Sequence, residues 1–79
     1  KLAETYASIF VVIRFVAIRK LNEEYVLQLK SEFKAIADSI RKTRNISLEF
    51  LKTRIKEISR EATNIQSRRL IIEIAGFFS

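Results

Sequence analysis

Lys52, Lys56, Arg60 and Arg68 fall at multiples of four along the chain, with Asn64 filling the gap in the series. On a helix this spacing makes a single row that advances about 6 Å per step. The step is close to that of successive phosphates, so the row can track a nucleic-acid backbone without reading its bases. Arg41, Lys42 and Arg44 extend the positive charge upstream. Residues 41–69 carry a net charge of +6, whereas residues 1–40 carry +1 and residues 70–79 carry −1. No aromatic residue interleaves with the row, so base stacking is not part of this chemistry. The same row also serves as a solvated outer face with no ligand at all.

Catalytic chemistry has little material. The chain has 79 residues with no His and no Cys, which excludes a Ser-His-Asp triad, a thiol nucleophile, a disulfide and the usual zinc ligand sets. Glu57 and Glu61 lie four apart and could in principle hold Mg²⁺ or share a proton. Beside Lys56 and Arg60 they read instead as solvated charges. One Gly and no Pro exclude phosphate-cradling glycine loops and turn-rich β folds, while 48% hydrophobic residues argue against disorder. The expectation is a non-enzymatic protein with no cofactor and no metal.

The elements that position these residues are helical. Val26, Leu29, Phe33, Ile36 and Ile40 are spaced 3, 4, 3, 4, and Leu48, Leu51, Ile55, Ile58, Ala62 and Ile65 continue 3, 4, 3, 4, 3. Both are heptad seams. Between them Thr43-Arg44-Asn45-Ile46-Ser47 breaks the register, with Asn45 or Ser47 suited to cap the second helix and Glu49 in its first turn. This predicts an all-α, antiparallel helical hairpin in a single domain over residues 1–79: a helix over about 3–43, a turn at 44–47 and a helix over about 48–77. Folding there layers Ile40 on Leu51, Ile36 on Ile55, Phe33 on Ile58, Leu29 on Ala62 and Val26 on Ile65. It also brings Asp38 to Lys52, Arg41 to Glu49, Glu23 and Glu24 to Arg68 and Arg69, and Glu73 to Arg14 and Arg19. One unbroken rod with a stutter is the alternative. For the apolar runs 9–18 and 70–74 a two-stranded ribbon competes with helical continuation. Arg14 and Glu73, set among apolar residues, read as a neutralising pair.

A hairpin of this kind leaves its open end uncovered. Ile9, Phe10, Val12, Ile13, Phe15, Val16, Leu70, Ile71, Ile74, Phe77 and Phe78 point all round their helices. Two helices alone would expose on the order of 1,000 Å² of apolar surface, more than soluble monomers carry. The twelve-residue stretch from Ala7 to Ile18, interrupted by Arg14, spans roughly 18 Å, short of a bilayer core of about 30 Å. With no Met and Lys1 in first place, the chain is expected to be a processed product or a piece of a longer one. The sequence therefore points to a structural subunit that self-assembles through its apolar ends, of filament or virion-coat type. Its basic residues would meet nucleic acid or solvent. A membrane-surface hairpin with Arg19, Lys20, Arg68 and Arg69 at the head groups, and a small dimeric DNA-binding protein, are the alternatives.

Overall fold

The structure is a computed structural model and describes residues 2–43 and 48–79; of residues 2–5 only the helical backbone is described. Four helices make up the described chain: α1 (Leu2–Ala17), α2 (Glu23–Thr43), α3 (Leu48–Ser59) and α4 (Ile65–Gly76). The protein is all-α, and the runs 9–18 and 70–74 are essentially helical, without a strand among the described residues. The expected turn at 44–47, with its caps Asn45 and Ser47 and its cation Arg44, lies outside the described residues.

The two long helices of the expected hairpin are each broken once. A helix over 3–43 would be about 60 Å long, yet the longest dimension of the molecule is 34 Å. The radius of gyration of 11.9 Å matches the value of about 11.6 Å for a compact chain of this length. Both breaks fall where an asparagine can start a new helix. The Asn22 side-chain carbonyl accepts the Tyr25 N–H at 2.8 Å, and Glu23 and Glu24 follow in the favourable first turn. Asn64, in extended conformation, accepts the Ser67 N–H at 2.8 Å.

Magnitudes decide for the breaks. Each corner costs a few helical hydrogen bonds of about 1 kcal/mol apiece. Covering the apolar ends is worth up to about 25 kcal/mol at roughly 25 cal/mol per Å². The corners also replace the bonds they lose, because they bind one another. The Ala17 carbonyl accepts the Thr63 N–H (2.9 Å) and hydroxyl (3.3 Å). The Arg19 carbonyl accepts from the Asn64 amide (3.1 Å) and the Ser67 hydroxyl (2.7 Å). Leu21 and Gln66 exchange two bonds, Leu21 N–H to the Gln66 side-chain oxygen (3.0 Å) and the Gln66 amide to the Leu21 carbonyl (2.7 Å).

Helix α4 is the centre. It packs most extensively against α3 and also against α1 and α2, while α1 packs on α3 as well. The α1 C-terminus meets the α4 N-terminus at the corner. At the other end Arg41 of α2 donates to the carbonyls of Phe77 and Ser79 (the latter at 3.1 Å), so α2 and α4 run in the same direction. Its guanidinium thus supplies positive charge where the α4 dipole is negative.

Most seam residues face inward as predicted. Leu29, Phe33, Ile40, Leu51, Ile55, Ile58 and Ala62 are buried. They do not layer on one another, because α2 and α3 do not lie side by side; α2 packs on α4 and, at Phe33 and Ile36, borders Ile9 and Val12 of α1, while α3 packs on α4 and α1. The expected ion pairs across the hairpin fail for the same reason. Asp38 pairs with Arg41 of its own helix (2.9 Å), Glu73 with Lys30 (3.1 Å), and Arg54 with Glu57 (2.8 Å). Arg14 and Glu73 are exposed rather than a buried pair.

Candidate docking face

The cationic row is divided by the α3–α4 corner. Lys52 and Lys56 remain one turn apart on α3, where they border an open groove of about 480 Å³ with Leu48, Glu49, Thr53, Phe78 and Ser79. Arg60 lies just past the end of α3, and Arg68 belongs to α4. Asn64 is committed to its cap. Arg41 is held by Asp38, Phe77 and Ser79, while Lys42 is exposed. A row read as continuous over four turns is therefore interrupted after Ser59, and no single straight track joins all of its members.

The apolar set expected to form an assembly surface is mostly interior. Ile9, Ile13, Val16, Leu70, Ile71, Ile74 and Phe78 are buried within the one chain, four of them at 0% exposure along with Val16. Phe10, Val12 and Phe77 are half-buried against the same core. Of the whole set only Phe15 is exposed. The premise of two rods with uncovered ends does not hold, because the corners fold those ends onto each other.

What the fold leaves uncovered is different: Leu27 on α2, Phe50 on α3, Ile65 and Ile72 on α4, and three residues in or just past α1, Val11, Phe15 and Ile18, at 64%, 43% and 64% exposure. At i, i+4 and i+7 these three form one stripe along the outer side of α1, its last member one residue past the helix. Arg14, Arg19 and Lys20, all exposed, border it, and no Asp or Glu occurs between Tyr6 and Leu21. The Arg19 guanidinium sits 4.2 Å from the centre of the Phe15 ring, a cation–π contact that keeps the ring partly covered in water. On the inner side, Arg54 lies 5.7 Å from the Phe10 ring. The corner beside this stripe adds exposed Arg60, Arg68 and Arg69, and Ile65 at 61% exposure.

Sequence reasoning missed this face for a physical reason. A run that is apolar all round gives no preferred side by periodicity alone, so Val11 and Ile13 look alike until the neighbours are placed. The charges are the signal that was available: Arg14, Arg19 and Lys20 cluster on and beyond a helix whose only acid is Glu4.

Between α1 and α2 runs a narrow crevice of about 160 Å³, lined by Ile9, Val12, Phe33 and Ile36 with Ser8 and Glu32 at its edge. Among the described residues no group of three or more metal-ligating side chains comes together. Glu57 is occupied with Arg54, and Glu61 lies beyond the end of α3. The exposed face therefore sets apolar side chains among cations, an arrangement that can offer contact to an apolar phase and to anions. No family model, curated protein or solved structure matches this chain.

Proposed function

We propose that the protein is a non-enzymatic domain that docks on anionic membrane surfaces, with the outer side of α1 lying in the head-group region. The observation that carries this reading is the Val11–Phe15–Ile18 stripe bordered by Arg14, Arg19 and Lys20. A basic amphipathic helix of this kind lies in the interface rather than across the bilayer. No helix of the described residues is long and apolar enough to cross a membrane. The stripe exposes on the order of 300 Å² of apolar area, worth up to about 7 kcal/mol when removed from water. Each bordering cation adds about 1 kcal/mol near an anionic leaflet.

The alternatives use these features less well. Self-association through the stripe would bring the three cations of one copy against those of another, and the +6 net charge opposes it further. The filament or coat reading retains only Phe15 as an exposed member of its surface. A nucleic acid would use the cations but leave the apolar stripe in water. Cosedimentation with vesicles tests the proposal. Binding to vesicles rich in anionic lipid is expected, with little binding to zwitterionic ones and loss of binding as salt rises from about 0.05 to 0.5 M. Val11→Glu, on an exposed position that does not support the fold, should reduce the bound fraction at least tenfold. Particles much larger than a monomer in lipid-free buffer would favour assembly. Binding to duplex DNA with a steep salt slope, without vesicle binding, would favour the nucleic-acid reading.

A further inference from the structure

We infer that the two corners are paired hinges, and that the chain has a second packing in which α1 runs into α2 and α3 into α4 as two long helices. The residues of the corners support helix. Neither 18–22 nor 60–64 contains Gly or Pro, and Ile18, Arg19, Lys20, Leu21, Arg60, Glu61 and Ala62 are all compatible with a helix interior. The heptad seam of α3 crosses its corner without a change of register: Leu51, Ile55, Ile58, Ala62 and Ile65 keep the 3, 4 spacing although Ile65 already belongs to α4. The local signals for a break are the caps Asn22 and Asn64, worth about 1 kcal/mol each, and no Gly or Pro enforces either corner.

The closed form is held by two kinds of interaction that respond differently to solvent. One is the polar latch between the corners, in which Thr63, Asn64, Gln66 and Ser67 bind the backbone of residues 17–21. Straightening gives those backbone groups helical partners instead, so this contribution largely cancels. The other is burial of Ile9, Ile13, Val16, Leu70, Ile71, Ile74 and Phe78. In water that burial cannot be replaced. In an apolar phase it can, because the same side chains are then covered by hydrocarbon. The balance therefore turns on the medium, and the stripe on α1 is the part of the molecule that first reaches such a medium. That an anionic membrane is the trigger rests on the function proposed above; the hinges themselves do not.

The chain has no Cys, so two exposed serines can be labelled cleanly as Ser8→Cys and Ser39→Cys. Ser8 shares the α1–α2 crevice with Ile36, one turn from Ser39, so the closed distance is well below the 34 Å length of the molecule. With α1 and α2 continuous, 31 residues of helix separate the labels by about 46 Å. Spin-label distances are measured in buffer, in zwitterionic detergent micelles and on anionic vesicles, with cosedimentation of the same sample. A short distance in buffer that lengthens to about 46 Å in micelles or on vesicles supports the hinges. Lengthening in micelles without vesicle binding keeps the hinges and removes the membrane function. A short distance in all three media, whether or not the protein binds, overturns the hinges. So does a long distance in plain buffer, since burial would then not be what closes the molecule.

Discussion

Asn64 does more than start a helix. Its side-chain oxygen caps α4 and its amide reaches the Arg19 carbonyl, so Asn64→Ala removes a cap and one latch bond together. The expected loss is about 1–2 kcal/mol of unfolding free energy, read from urea titration. Asn64→Ser, which keeps the cap but not the amide donor, should fall between. Phe78 makes the contrasting case. It is fully buried although it lies near the end of the chain, and Phe78→Ala should cost about 3–5 kcal/mol, much of the stability of a domain this size. Thermal unfolding of the monomer checks it, because a residue serving only an assembly surface would leave that transition unmoved. The helix starts at Asn22 and Asn64 were not read from the sequence, because an apolar run with no Gly or Pro on either side looks continuous, and only the burial of Ile13 or Ile71 by a partner makes a corner worthwhile.

At the level of helices, a heptad seam specifies a face but not what covers it. The inward positions Leu29, Phe33, Ile55 and Ile58 were legible, whereas the identity of their cover was not, because two seams can always be aligned in some register. Charges did not resolve the matter, and their small energies explain why. The Lys30–Glu73 pair that joins α2 to α4 is one-third and one-half exposed. A double-mutant cycle with Lys30→Ala and Glu73→Ala should give a coupling below about 1 kcal/mol. By comparison, Leu70→Ala in the same interface should cost about 2–5 kcal/mol. Ion pairs of this strength follow the packing and do not select it.

For the molecule as a whole, shape separates the compact packing from two rods. A hairpin of one rod about 60 Å long and another about 45 Å long would have a radius of gyration of about 17 Å. Small-angle scattering of dilute protein in lipid-free buffer should instead give a value near the 11.9 Å of the Cα trace, slightly enlarged by side chains and hydration. The candidate face was only partly legible for a related reason. Its cations could be seen in composition, but which apolar residues of a uniformly apolar helix stay outside depends on where all four helices end up.

The helix on which the other three lean lies furthest along the chain. A polypeptide emerging from the ribosome therefore presents α1, α2 and α3 before the element that unites them exists, and contacts such as Ala17 with Thr63 span 46 residues. Beyond the packing of α1 on α3, most of the native structure has to wait for α4, and until then the apolar stretch 9–18 must be kept from wrong associations by its flanking arginines or by a chaperone.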